Sequence, residues 1–174
     1  MTAIWKLKNF NQLTTDEMYQ LLSLRTAVFV VEQNCPYQEL DGKDQVAQHL
    51  WLENDKGELM ALCRLLPQGI SFNEASIGRV LVNPEFRGQN LGRGLIDKAL
   101  EVLKENGEAA VTIEAQYYLR DFYASFGFVE NSMHGSSLRS IGFDRAVLNT
   151  DLTNLTYNLL RYEQVKRLNL KTWR

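Results

Sequence analysis

A chain of 174 residues, 45% hydrophobic and 23% charged, falls within the roughly 100–200 residues of one domain and is long enough to bury a real core. Its 19 Lys and Arg against 21 Asp and Glu give a formal charge of −2, so no global positive field exists to hold a nucleic acid. The first ten residues lack the apolar core of a secretory signal, no run approaches the about 18 apolar residues of a membrane span, and Cys35 and Cys63 have neither CxxC nor Cys/His spacing. A cytoplasmic protein is expected, with two ordinary thiols, no metal, no membrane and no nucleic-acid partner.

Residues 4–7 alternate as a short strand. Thr14 and Glu17 then have the spacing of a capping box, which predicts a helix whose stripe is Met18, Leu21, Leu22, Arg25, Val28 and Phe29. Residues 32–48 are polar, with Cys35-Pro36 and Asp41-Gly42, and read as a loop holding at most a short helix. Three strands follow, at 49–53, 58–66 and 76–82, joined by short connections that favour an antiparallel meander. Asn83-Pro84 ends the third.

A second helix carries Leu91, Leu95, Ile96, Ala99, Leu100, Val102 and Leu103 on its buried side and stops at Asn106-Gly107. Residues 111–115 form a strand, Leu119, Phe122, Tyr123 and Phe126 a helical stripe ending at Gly127, and Phe128-Val129 opens another strand. Past residue 129 the pattern weakens, until Thr150 or Asp151 could cap a last helix bearing Leu152, Leu155, Leu159, Tyr162 and Val165. The whole is a mixed, mostly antiparallel α/β (α+β) sheet with helices on its faces, organised as a domain over 1–145 and a helical tail over 146–174.

The most specific feature is the run from Ile77 to Arg93: a strand, a tight loop and a helix start in immediate succession. Such a loop presents unpaired amides at the positive end of a helix dipole, where phosphate oxygens bind. A P-loop is excluded because Gly92 is followed by Arg93-Gly94 rather than Lys and Ser or Thr. A dinucleotide fingerprint started at Gly92 would need a third glycine at Asp97. Both motifs fail.

Arg87-Gly88-Gln89-Asn90-Leu91-Gly92 resembles the acyl-CoA loop of the GNAT N-acetyltransferases: Arg or Gln, two residues, Gly, one residue, then Gly or Ala. Asn90 stands where the family usually has glycine, and Asn tolerates the left-handed conformation better than most residues. The runs Arg25-Thr26-Ala27-Val28-Phe29-Val30-Val31-Glu32-Gln33, Cys35-Pro36-Tyr37-Gln38-Glu39-Leu40-Asp41-Gly42-Lys43-Asp44 and Leu119-Arg120-Asp121-Phe122-Tyr123-Ala124-Ser125-Phe126-Gly127-Phe128 look like the ElaA-like branch of that family. The resemblance covers residues 4–130.

It implies an acyl-CoA N-acyltransferase fold splayed between the strands at 76–82 and 111–115, and acetyl transfer from acetyl-CoA to a primary amine by direct attack. By the same resemblance, Val80, Leu81 and Val82 pair with the pantetheine arm like an added strand. The segment Arg87, Gly88, Gln89, Asn90, Leu91, Gly92 and Arg93 holds the pyrophosphate, and Gln116 either bonds the cofactor arm or caps the following helix. Tyr123 is implied as general acid, although Phe122, Tyr123 and Phe126 also read as a core stripe.

Candidate bases are His49, which equally suits a structural hydrogen bond at a strand start, and Glu32. Glu32 belongs with Glu39, Asp41 and Asp44 to an acidic segment that either borders the acceptor pocket or is simply solvated. Arg79 interrupts an apolar strand, either on its polar face or as an anchor for a carboxylate. The rival function is an acyl-CoA-binding regulatory module without turnover. The basic, apolar-striped tail is an ordinary surface helix or an interaction element, and would allow a homodimer.

Overall fold

The computed structural model describes residues 3–131 together with strand segments at 137–138 and 146–149. β1 (Ile4–Asn9) leads to α1 (Thr15–Thr26). The capping box forms: Thr14 Oγ1 accepts from the Glu17 amide at 3.1 Å, and Glu17 Oε2 accepts from the Thr14 amide at 2.9 Å. α1 widens into a π-helical turn, Ala27–Glu32, a form often found beside functional sites. After it come a loop and a short 3-10 turn, Asp44–Val46.

β2 (Gln48–Glu53), β3 (Leu59–Leu66) and β4 (Ala75–Val82) pair antiparallel in sequence, with β1 antiparallel on the outer edge of β2. The β2–β3 turn is set by Asn54, whose Oδ1 accepts from the amides of Lys56 and Glu58, both at 3.0 Å. α2 (Leu91–Glu105), β5 (Val111–Glu114), α3 (Arg120–Ala124) and β6 (Phe128–Asn131) follow. β7 (Ser137–Leu138) and β8 (Ala146–Asn149) complete a mixed sheet of order β1-β2-β3-β4-β5-β8-β6-β7 among the described residues.

Both faces of the sheet are covered, so β2 and β3 are buried almost continuously instead of at alternate residues. On the α2 side Leu50, Leu52, Cys63, Leu65 and Ile77 pack with Leu95, Ile96, Ala99 and Leu103, and Tyr123 and Phe128 join them. On the α1 side Trp51, Leu62 and Leu81 pack with Leu21 and Val28. β8 sits between β5 and β6, parallel to both. The last helix expected from residue 150 lies outside the described residues. No helix among them is long and apolar enough to cross a membrane.

Candidate functional site

β4 is where the sheet parts. It pairs with β5 in parallel through only three positions, Ala75 with Val111, Ser76 with Thr112 and Ile77 with Ile113. From Gly78 to Val82 it runs on with no strand on that side among the described residues. On its other side the register with β3 slips: Gly78 faces Arg64 and Leu81 faces Leu62, so Arg79 and Val80 together stand opposite Cys63. This is a β-bulge, and Arg79 occupies its left-handed position at φ +55°.

The loop after β4 is held from both ends. The Asn83 side chain accepts from the Glu85 amide at 3.1 Å and donates to the Leu59 carbonyl at 2.7 Å. Gly88 lies at φ +80° and Asn90 at φ +58°, ψ +21°, so Asn90 takes up the conformation glycine would favour there. α2 begins at Leu91 with no side chain capping it, which leaves the amides of its first turn without intrahelical acceptors and aimed out of the helix.

The two arginines of this loop are engaged elsewhere. Arg87 donates from Nη1 and Nη2 to the two carboxylate oxygens of Glu32 at 2.8 and 2.9 Å, and from Nε to the Val82 carbonyl at 3.3 Å. Arg93 donates to Ser125 Oγ at 2.7 Å and lies over the Phe126 ring at 4.6 Å.

Tyr123, on α3, is buried and meets Phe122 and Phe128 edge to face, with centroids 5.1 and 5.8 Å away. Burial pushes its phenol well above the ordinary value, and the nearby Cys63 and Tyr118 add to the shift. The group is therefore a neutral donor throughout the physiological range. The Gln116 carbonyl accepts from the Leu119 amide at 2.9 Å, opening the turn that leads into α3.

Across the sheet from Tyr123 lies a network of three guanidinium groups and three carboxylates. Arg25, 1% exposed at the end of α1, holds Glu39 through Nε and Nη2, both at 2.9 Å, and Asp44 through Nη1 at 2.6 Å. Arg64 on β3 holds Asp41 at 2.6 and 2.7 Å and Asp44 at 3.1 Å, while its Nε has no hydrogen-bond partner among the described residues. Arg79 reaches Glu39 Oε1 at 2.6 Å, the Glu39 carbonyl at 3.0 Å and Asp41 Oδ2 at 3.2 Å. Burial alone would raise the Asp41 and Asp44 carboxyls. Arg64 and Arg79 around Asp41, and Arg25 and Arg64 around Asp44, overcome that and hold both below the usual carboxylate range.

The family model for the acetyltransferase (GNAT) domain matches residues 12–138. This chain belongs to the GNAT acetyltransferase family. Within the family it is 40% identical to protein ElaA of Escherichia coli over 129 residues, 72% of this chain and 83% of that protein. A UPF0039 protein of Schizosaccharomyces pombe is 42% identical over 123 residues, 70% of this chain and 81% of that one. Among solved structures, an acyl-CoA N-acyltransferase from Pseudomonas aeruginosa is 42% identical with a TM-score of 0.69, covering 74% of this chain and 89% of its own. The crystal structure of Escherichia coli ElaA gives 35% identity and a TM-score of 0.70, covering 79% and 97%.

In this GNAT chain the β4 edge at Val80, Leu81 and Val82 runs into the loop from Arg87 to Arg93, and Arg93 links that loop to α3, the helix of Tyr123, through Ser125 and Phe126. The fold sets the two candidate bases apart from them in role. His49 is 3% exposed, its Nε2 faces the Asp44 carbonyl at 3.1 Å, and burial, reinforced by Arg25 and Arg64, lowers its pKa. Glu32 is the carboxylate partner of Arg87. The acidic segment is neither solvated nor free to draw in a cation, because Glu39, Asp41 and Asp44 are matched one for one by Arg25, Arg64 and Arg79.

Arg79 does anchor carboxylates, but they are this chain's own. The sequence signals for the network were Arg25 within an apolar helical stripe and Arg64 within an apolar strand, each a charge that burial obliges to find partners. Among the described residues no group of three or more His, Cys, Asp or Glu side chains is arranged to hold a metal.

Proposed function

We propose that this protein is an N-acetyltransferase that moves the acetyl group of acetyl-CoA to a primary amine of a small molecule or peptide, by direct attack in a ternary complex. The observation that carries the reading is the stretch Gly78 to Val82: a β4 edge that β5 leaves after Ile77, running directly into an amide-rich loop and the start of α2. An amide-bearing arm fits such an edge as an added strand, and its pyrophosphate fits the amides from Gly88 to Arg93. With Arg87 tied to Glu32 and Arg93 to Ser125, the backbone rather than the guanidinium groups supplies the anion site. Gln116, where β5 gives way to α3, is available to bond the arm through its side chain, its carbonyl being taken by the Leu119 amide.

The thioester supplies an activated acetyl carbon. As the amine nitrogen bonds to that carbon, negative charge gathers on the carbonyl oxygen, and the amide of Leu81 or Val82 is available to receive it. One such donor is worth about 3–4 kcal/mol in a well-measured hydrolase. The C–S bond then breaks, and Tyr123 gives its phenolic proton to the departing sulfur, whose conjugate acid has a pKa near 8.5. The proton lost by the amine returns through water to the phenolate. No side chain is assigned as base, since His49 and Glu32 are engaged with Asp44 and Arg87.

Calorimetry with acetyl-CoA and CoA, followed by a thiol-release assay over an amine panel, tests the reading. Binding with amine-dependent thiol release is expected. Tight binding with no release across the panel would overturn it in favour of an acyl-CoA-binding regulatory module.

A further inference from the structure

Arg79 is held in a backbone conformation that burdens every residue bearing a Cβ. Glycine would adopt it freely, and Gly78 stands next door at a position that does not use a positive φ. Strain of this kind persists only where the surroundings over-determine it. Here they do so through one segment, residues 37–41. Glu39 takes Arg79 Nε on its carboxylate and Nη2 on its carbonyl, Asp41 takes Nη2 on its carboxylate, and the Tyr37 ring lies 5.7 Å from the guanidinium carbon. That segment is itself fixed from below by Arg25 and Arg64, so it is a rigid abutment and not a loose loop. The residues immediately after Arg79 are Val80, Leu81 and Val82, the edge on which the transfer is proposed to occur.

We propose that Arg79 is a positioning residue for acetyl transfer. Its guanidinium, braced on Glu39 and Asp41, fixes the bulge that aims the amides of Val80 and Leu81, and it holds the 37–41 segment as the wall of the acceptor side. The inference rests on the acetyl-transfer reading above. It predicts losses in the transfer step and in the amine KM that exceed any loss of acetyl-CoA affinity, because the pyrophosphate loop and the α2 start lie beyond Asn83 while Arg79 bonds to Glu39 and Asp41.

The test compares wild type, Arg79→Gly, Arg79→Lys and Glu39→Gln as full-length chains. For each, kcat and KM are measured with the best amine of the panel, the acetyl-CoA dissociation constant by calorimetry, and the melting temperature. Arg79→Gly relieves the φ strain while removing the brace. It is expected to bind acetyl-CoA within about threefold of wild type and to lose about tenfold or more in kcat, with the amine KM raised, as misplacement of reacting groups by a fraction of an ångström does.

Arg79→Lys keeps the charge but not the planar fork and is expected to fall between the two at an unchanged melting temperature. Glu39→Gln should shift kcat and the amine KM in the same direction as Arg79→Gly. Wild-type kcat and amine KM in Arg79→Gly would overturn the inference. If that variant does not fold, the same result in Arg79→Lys would overturn it. A wild-type chain that binds acetyl-CoA and releases no thiol instead fails the transfer reading, and the inference falls with it.

Discussion

Glu32 receives both terminal nitrogens of Arg87, at 2.8 and 2.9 Å, across 55 residues of chain. The pair ties the end of the π-helical turn after α1 to the first residue of the loop that starts α2. Because Glu32 keeps 41% of its side chain exposed, the pair is a surface interaction of about 0–1 kcal/mol. Glu32→Gln is therefore expected to leave kcat within about threefold of wild type, far from the hundredfold or more that loss of an acid or base brings. A loss of that larger size in steady-state kinetics would return Glu32 to the chemistry.

Tyr123→Phe separates chemistry from packing. The ring contacts with Phe122 and Phe128 survive the change, and only the hydroxyl is lost, so the denaturation midpoint and acetyl-CoA affinity should stay close to wild type. The amine-dependent rate should fall by about 10²–10⁴-fold, the contribution of a positioned general acid. An unchanged rate with a working amine would assign Tyr123 to the core alone.

Arg25→Ala should destabilise the segment that carries Glu39 and Asp44. Arg25 is the shared partner of Glu39 and Asp44, and removing one member of a buried ion pair costs about 3–5 kcal/mol because the remaining charges are left uncompensated. Urea unfolding measures the loss. A loss under about 1 kcal/mol, the range of an exposed pair, would mean that water reaches these carboxylates in the folded protein.

The meander, the α2 stripe and the loop at 83–93 were legible because each depends on local chemistry: apolar period, breakers, and a glycine-bearing turn before a helix. The ion-pair network was not, because its members lie 14 to 40 residues apart in sequence and nothing local tells a solvated carboxylate from a buried, paired one. The bulge was hidden for a related reason. Arg79 in an apolar strand fits a surface-facing residue equally well, and only the slipped pairing with β3 shows that two residues of β4 face one. Asn90 is the opposite case, where the resemblance calls for glycine and the side chain's tolerance of a left-handed backbone agrees with the φ of +58°.

His49 should give stability a pH dependence of known sign. Burial lowers its pKa in the fold from the ordinary 6.5, with Arg25 of α1 and Arg64 of β3 opposing its protonation and Asp44 favouring it. The unfolded chain therefore takes up a proton as pH falls below about 6.5 while the folded one does not, and stability drops through that range by at most about 1.4 kcal/mol per pH unit. Asp41 and Asp44, held low by their arginines, lose their contribution only below about 3.8, the ordinary carboxylate value. Urea midpoints between pH 7 and 5 are expected to fall more steeply for wild type than for His49→Gln. Equal slopes would mean that His49 titrates normally in the fold.

Asn90 allows backbone shape and charge to be tested separately at the start of α2. At φ +58°, ψ +21° and with no side-chain cap to lose, Asn90→Gly should leave both stability and acetyl-CoA affinity at or slightly above wild type. Asn90→Ala must pay the left-handed penalty of about 1–2 kcal/mol, and affinity should weaken with it, because the bound loop needs the same conformation. Asn90→Asp keeps a residue that tolerates this backbone but sets a negative charge beside the proposed pyrophosphate site. Its stability should stay near that of wild type, while its acetyl-CoA dissociation constant rises and the rise shrinks with added salt. Unfolding curves and calorimetric titrations on the three variants give six numbers. An Asn90→Asp variant that binds acetyl-CoA as tightly as Asn90→Gly at low salt would place the phosphates away from the start of α2.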